Sequence, residues 1–123
     1  MVIKQSPWRA CVAPMMKYTD RHFRYFARIL SHRVRLYTEM IVAHAIVKGD
    51  AQRFLAHNTE EHPVALQLGG NDPVVMAKAG ERGEEVGYCE ININAGCPSD
   101  RVKSGNFGAS LMNSPETVAA CVE

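Results

Sequence analysis

The chain has 123 residues, of which 46% are hydrophobic and 22% are charged, and its formal net charge is +1 at pH 7. A chain of this length forms one domain or part of one, and its near-average composition excludes an intrinsically disordered protein. The longest apolar run, residues 40–47, includes His44 and is much shorter than the ~18 residues of a membrane span, so no membrane protein is expected. Because no apolar stretch follows Lys4, we expect no secretory signal and a cytoplasmic protein.

Charge is distributed unevenly along the chain. Residues 1–53 hold ten Lys or Arg and three Asp or Glu, a net charge of +7, whereas residues 54–123 carry a net charge of −6. The basic half is compatible with a polyanionic partner, although solvated helix faces are the ordinary explanation for such a surplus.

Four cysteines occur, at positions 11, 89, 97 and 121. They include no Cys-x-x-Cys pair and no Cys/His pair at the spacing of a zinc finger. We therefore expect reduced thiols and no metal site.

Four apolar segments rich in β-branched residues are predicted to be strands: residues 10–15, 35–40, 64–68 and 88–94. After the first strand, Thr19 or Asp20 is predicted to cap a helix. In this helix, an apolar face at positions 23, 26, 27 and 30 should pack inward, while arginines at positions 21, 24 and 28 should face outward.

The later crossovers are less uniform. Residues 41–47 fit either a helix or a continued strand, and residues 51–55 fit a short helical turn. After the third strand, Asn71 or Asp72 is predicted to cap a helix with Pro73 in its first position. A last helix is predicted to open at residues 114–116, Ser-Pro-Glu.

Counted from residues 9, 35, 63 and 88, at or one residue before the predicted strands, successive strands are 26, 28 and 25 residues apart. This spacing fits repeated βα units and therefore a parallel sheet, either half of a barrel or a doubly wound sheet. A doubly wound nucleotide-binding domain usually carries a glycine-rich loop after its first strand, but residues 13–18 contain no glycine. We therefore predict the N-terminal half of a (β/α)8 TIM barrel, with about four βα units.

A complete barrel needs roughly 250 residues. Four strands alone would leave open sheet edges and an uncovered apolar interior. We therefore expect that residues 1–123 are a truncated chain, or that a partner completes the sheet.

The stretch 90–112 concentrates the unusual polar residues. Asn92 and Asn94 share one face of the fourth strand, an unfavourable placement unless their amides bind a ligand or the backbone. Cys97 follows at the end of the strand, between Gly96 and Pro98, whose restricted backbone orients the thiol. From these residues alone, Cys97 fits a general acid, a nucleophile or a packed apolar side chain.

Five motifs occur in order: Val-Ala-Pro-Met-Met at 12–16, Tyr-Thr-Asp-Arg-His at 18–22, Tyr-Thr-Glu-Met at 37–40, Pro-Val-Ala-Leu-Gln-Leu-Gly-Gly at 63–70, and Asn-Ile-Asn-Ala-Gly-Cys-Pro-Ser-Asp-Arg at 92–101. Together they resemble the tRNA-dihydrouridine synthases, most nearly those of the DusA type, over nearly the whole chain. The resemblance implies an FMN-binding barrel that reduces specific uridines in tRNA to 5,6-dihydrouridine, with NADPH as the reductant. It also implies that a C-terminal half-barrel and a helical tRNA-binding domain are absent from residues 1–123, which would be inactive alone.

The resemblance also implies which residues hold the cofactor. Pro14, Met15 and Met16, at the end of the first strand, would pack on or hydrogen bond to the FMN ring system. Gln67, at the end of the third strand, would hydrogen bond to an edge of the flavin.

On the substrate side, the resemblance implies that Asn94 contacts the target uracil and that Cys97 is the general acid. Reduction of the C5=C6 bond requires a hydride at C6 and a proton at C5 from the opposite face. A thiol with an ordinary pKa of about 8.5 is mostly protonated at neutral pH and can supply that proton. Arg101 is a candidate contact for tRNA phosphate, although loop cations are commonly only solvated.

Two alternatives remain. One is another FMN-dependent TIM-barrel oxidoreductase of the dihydroorotate dehydrogenase kind, which also acts on a pyrimidine C5–C6 bond. The other is a non-catalytic remnant that binds a partner through its open sheet edge.

Overall fold

A computed structural model describes residues 9–123. Residues 1–8, where we expect no secretory signal, lie outside this part. The described residues contain five short strands in one sheet: β1 Cys11–Val12, β2 Arg35–Tyr37, β3 Ile41–Val42, β4 Val64–Gly69 and β5 Glu90–Ile93.

The strands add to the sheet in chain order. β1 pairs with β2, then β2 and β3 pair in succession with one edge of β4, and β5 pairs with its other edge, all in parallel. A doubly wound sheet reverses its strand order partway, whereas a barrel adds each βα unit on the same side. The predicted fold class, half of a TIM barrel, is confirmed.

Six helices and two 3-10 turns connect and flank the strands in the described region: α1 Arg21–Leu30, α2 Ala43–Lys48, α3 Ala51–Phe54, α4 Pro73–Glu85, α5 Asp100–Ser104, α6 Pro115–Val122, and the turns Thr59–Glu61 and Gly108–Asn113. Asp20 caps α1, because its carboxylate accepts the backbone N–H groups of His22 and Phe23. Asp72 caps α4 in the same way. These predicted caps are confirmed, as are the short helix after residue 50 and the opening of α6 at Pro115. None of these helices is long and apolar enough to cross a membrane.

Three predicted strands are shorter than expected, and of these the fourth is the least changed, since β5 spans Glu90–Ile93 where residues 88–94 were predicted. The first consists of Cys11–Val12 only. The second strand, β2, ends at Tyr37. Between it and β3, the Thr38 hydroxyl accepts the backbone N–H of Gln67 at 3.0 Å. This side-chain bond replaces a rung of the backbone ladder, and pairing with β4 resumes at Ile41. Residues 41–47, which fitted either a helix or a continued strand, form the two-residue strand β3 followed by helix α2.

The prediction for the outer face of α1 is wrong for two of its three arginines. Arg24 and Arg28 are buried, whereas Arg21 is exposed. The Arg24 guanidinium donates to the Glu61 carboxylate at 2.7 Å and to the Thr19 carbonyl at 2.8 Å. Arg28 donates to four backbone carbonyls, those of Ser31, Val34, Glu61 and Pro63. These arginines tie α1 to neighbouring segments, so part of the basic surplus lies inside the fold.

The predicted inner face of α1 is wrong in the same way. Ala27 is buried, but Phe26 and Leu30 are 57% and 70% exposed. The sequence periodicity identified an apolar stripe but not its direction, because the buried guanidinia occupy the inward positions. The exposed stripe lies on the helix that follows β1, the strand at one end of the sheet.

The core lies between the sheet and helices α2 and α4. Leu66 and Leu68 on β4, Ile46 on α2 and Ala79 on α4 are fully buried. Gly83 allows α4 to approach the sheet closely, since a Cβ there would lie 2.5 Å from the Leu66 side chain. The glycine, which weakens the helix locally, therefore permits this close packing.

Candidate active site

Three amide side chains form a hydrogen-bonded row toward the carboxyl ends of β4 and β5. Gln67 is opposite Asn92 in the sheet and donates to its side-chain oxygen at 2.6 Å. Asn94 donates to the side-chain oxygen of Gln67 at 3.0 Å. A primary amide has two N–H groups and two acceptor lone pairs, so Gln67 retains one of each for another partner. We call Gln67, Asn92 and Asn94 the amide row.

Asn94 also connects the amide row to the cysteine. Its side-chain oxygen accepts the backbone N–H groups of Gly96, at 3.2 Å, and Cys97, at 2.9 Å. Both asparagines are half-buried, and of the two only Asn94 binds the backbone as expected, since the Asn92 side chain is bound by Gln67. Asn94 thus sets the direction of the chain at Cys97.

The Cys97 thiol lies beside a serine. Its S–H donates to the Ser99 hydroxyl at a sulfur–oxygen distance of 3.5 Å. Ser99 precedes α5, but its side chain caps no backbone N–H of that helix. Hydrogen bonds from the side chain and backbone of Ser99 lower the pKa of the Cys97 thiol, against a smaller opposing effect of desolvation.

The chain returns to Cys97 through a glycine. Gly108 has a φ of 61°, and a Cβ there would lie 2.7 Å from the Cys97 carbonyl oxygen. The next residue, Ala109, donates its N–H to that same carbonyl at 3.0 Å. Both the left-handed backbone and the close approach require glycine at position 108.

The loop after β1, residues 13–19, which we call the rim loop, is fixed by side chains. The Thr19 hydroxyl accepts the Met15 N–H at 3.0 Å and lies 3.2 Å from the Met15 carbonyl oxygen, to which it donates. The Lys17 N–H donates to the Glu39 carboxylate, which ties the rim loop to the segment between β2 and β3. The loop leaves Met15 and Met16 40% and 55% exposed.

A cavity of about 570 Å³, the main cavity, opens between the rim loop, β3 and the segment that follows Cys97. Its lining includes Met16, Glu39, Phe54, Cys97, Arg101 and Phe107. Three residues that the sequence proposed for separate roles, Met16, Cys97 and Arg101, therefore meet in one cavity. The other proposed residues, Pro14, Met15, Gln67 and Asn94, are not part of its lining.

The structure adds residues that the sequence analysis did not assign to the site. Ser99 contacts the thiol, Thr19 holds the rim loop, and Thr38 holds Gln67. A serine two positions after a cysteine was the available signal for Ser99. Thr38 gave no such signal, because its partner is 29 residues away in the chain.

Among residues 9–123, no group of three His, Cys, Asp or Glu side chains is arranged to hold a metal ion. The polar groups around the main cavity are a thiol, a carboxylate, a guanidinium and a hydroxyl. With the neighbouring amides, these groups can donate or accept protons and hydrogen bonds.

Comparison with known proteins identifies the family. The family model for dihydrouridine synthase matches residues 11–123. A Synechocystis protein named tRNA-dihydrouridine(20/20a) synthase is 62% identical to this chain over 90% of its residues. A protein of the same name in Xanthomonas campestris is 55% identical over 93% of this chain. A protein of that name in Escherichia coli O6:H1 is 53% identical over 94% of this chain. The matches cover 33%, 34% and 35% of those proteins, so the chain spans about a third of their length. The chain belongs to the dihydrouridine synthase family.

Proposed function

We propose that this protein reduces specific uridines in tRNA to 5,6-dihydrouridine in the cytoplasm, with FMN as its cofactor and NADPH as its reductant. The names of its relatives support this substrate and product. The observation that carries the proposal is the Cys97 thiol, which lines the main cavity while Asn94 holds its backbone. In proteins of the relatives' length, the remaining chain would supply the second half-barrel and a helical tRNA-binding domain.

The residues present fit a flavin. The half-buried Pro14 and the exposed Met15 and Met16 offer an apolar wall on the rim loop, of the kind that a flat ring covers. Gln67 is 8% exposed and keeps one donor and one acceptor for a ring edge. When bound, FMN would supply the hydride for uracil C6.

The proposed role of Cys97 is to hold the proton that uracil C5 receives. Its position in the main cavity allows access by a base that has left its stack. The hydrogen bonds from Ser99 lower the thiol pKa, so Cys97 releases its proton more readily than an unperturbed cysteine.

Asn94 and Arg101 would position the nucleotide. Asn94 retains one N–H of its amide after donating to Gln67, and this group would bind the uracil edge. The exposed Arg101 lines the same cavity as Cys97 and would bind a tRNA phosphate.

Replacement of Ser99 by alanine should move the pH dependence of turnover. A general acid must be protonated, so turnover falls as pH rises through the pKa of Cys97. Removal of the Ser99 hydroxyl raises that pKa, so the alkaline limb of the kcat profile should move to higher pH. Ser99→Thr, which keeps the hydroxyl, should retain the wild-type limb. A rate that instead rises with pH through this range would indicate a thiolate nucleophile.

The proposed function is tested in a strain that lacks the gene. Its tRNA should lose dihydrouridine at the positions that this protein modifies, as measured by mass spectrometry of tRNA digests. The wild-type gene should restore the modification, and the gene with Cys97→Ala should not. Unchanged dihydrouridine together with a new uracil requirement would favour the dihydroorotate dehydrogenase alternative.

A further inference from the structure

A second groove, the side groove, adjoins the main cavity and has a volume of about 390 Å³. The two share Glu39, Ile41 and Phe54 in their linings. The side groove is further lined by Arg21, from the first turn of α1, and Arg53, from α3. A polymer that enters the main cavity can therefore continue past Phe54 and lie between these two arginines.

The two arginines differ from those inside the fold. Arg24, Arg28 and Arg35 are buried and bound to carboxylates or carbonyls. Arg21 and Arg53 are exposed, and within residues 9–123 their guanidinium groups have no hydrogen bond or ion pair. They present ten N–H donors to whatever occupies the groove, since each guanidinium has five.

The acidic residues of the groove are engaged elsewhere. A carboxylate oxygen of Asp20 accepts the N–H groups of His22 and Phe23 at the start of α1. A carboxylate oxygen of Glu39 accepts the N–H of Lys17. Backbone N–H groups thus hold both carboxylates, and neither acid pairs with Arg21 or Arg53.

Phe54 supplies a stacking surface between the two cavities. It is 39% exposed and contributes to both linings. An exposed aromatic ring flanked by free cations is the combination with which proteins bind single-stranded nucleic acid, through stacking and phosphate contacts. A target base that enters a pocket must leave its stack, so its neighbour in the strand is unstacked and available to such a surface.

We propose that the side groove binds the nucleotide next to the target uridine, with its base on Phe54 and its phosphate on Arg21 and Arg53. This inference rests on the proposed function, because it places the target uridine in the main cavity beside Cys97. It adds a second binding position for the RNA strand, on the α1 and α3 side of the cavity.

The test compares the full-length gene product with its Arg21→Ala/Arg53→Ala variant. Binding of an unmodified tRNA transcript is measured by fluorescence anisotropy at several salt concentrations. We expect roughly a tenfold loss of affinity, and a slope of log K against log salt that is shallower by about 0.7, the value for the one single-strand phosphate that both arginines contact. Phe54→Ala should weaken binding roughly tenfold without changing the slope, whereas Arg33→Ala, an exposed arginine before β2, should change neither.

The proposal is overturned if the double variant binds tRNA with wild-type affinity and slope. It is also overturned if the double variant raises KM for NADPH and leaves tRNA binding unchanged, because the arginines would then bind the phosphates of the reductant. A wild-type protein that binds tRNA but forms no dihydrouridine would refute the proposed function. The binding comparison would still decide whether RNA occupies the side groove.

Discussion

Replacement of Cys97 by alanine is expected to lower the turnover of tRNA uridine by 100- to 10,000-fold, the usual contribution of a positioned general acid, which is about 10²–10⁴. The thiol lines the main cavity, and hydrogen bonds from Ser99 lower its pKa. Cys97→Ser should also lose most turnover, because a serine hydroxyl is a far weaker acid than a thiol. Both variants should bind flavin as the wild type does, since Cys97 is not among the residues proposed to hold it.

The measurement is the rate of dihydrouridine formation by the full-length protein at saturating tRNA, together with flavin absorbance per mole of protein. Cys121→Ala is the matched control, because Cys121 is a half-buried free cysteine on α6. This variant should leave the turnover within about twofold of the wild type, because a thiol that contacts no reacting atom takes no part in proton transfer. Wild-type turnover in the alanine variant would show that the proton at C5 comes from another group.

Replacement of Glu61 by alanine is expected to lower the free energy of unfolding by about 3–5 kcal/mol, the typical effect of removing one partner from a buried ion pair. Glu61 is fully buried and accepts the Arg24 guanidinium at 2.7 Å. Its other carboxylate oxygen accepts the backbone N–H of Asn58 at 2.7 Å. The variant leaves Arg24, which is 4% exposed, without its counter-ion.

Urea unfolding of the full-length protein measures this effect. Glu60→Ala is the control, because Glu60 is the exposed neighbour in the same turn, and the change should stay within about 0.5 kcal/mol. The double variant Arg24→Met/Glu61→Leu should be more stable than Glu61→Ala, since it removes the buried charge along with its partner. Equal stabilities for Glu61→Ala and Glu60→Ala would show that the buried pair makes no such contribution.

The buried ion pair also shows where sequence reasoning failed. Helical periodicity assigned Arg24 and Arg28 to the surface and Phe26 and Leu30 to the core, and the structure reverses all four placements. Periodicity groups residues by face but assumes that the apolar face is the buried one. That assumption fails when guanidinium groups meet carbonyls and a carboxylate from segments more than 30 residues away in the chain.

Local signals, by contrast, predicted the elements whose causes are local. Asp20 and Asp72 cap their helices, and Pro115 opens α6, because capping depends on residues within one turn. The βα repeat predicted parallel pairing, and the absence of a glycine loop after β1 favoured a barrel. The family is confirmed, while every site role given by the resemblance remains a proposal, for Pro14, Met15, Met16, Gln67, Asn94, Cys97 and Arg101 alike.

The sequence by itself determined the parallel βα architecture, the family and the position of Cys97 at the end of a strand, because each depends on patterns that are contiguous in the chain. Only the tertiary structure decided that the amide row leads to the Cys97 backbone, that Ser99 lowers the pKa of the thiol, and that Arg21 and Arg53 are free while Arg24 and Arg28 are buried. These features arise from the packing of segments that are distant in sequence. The free energy of a hydrogen bond or an ion pair depends on burial and distance, which exist only once the chain has folded.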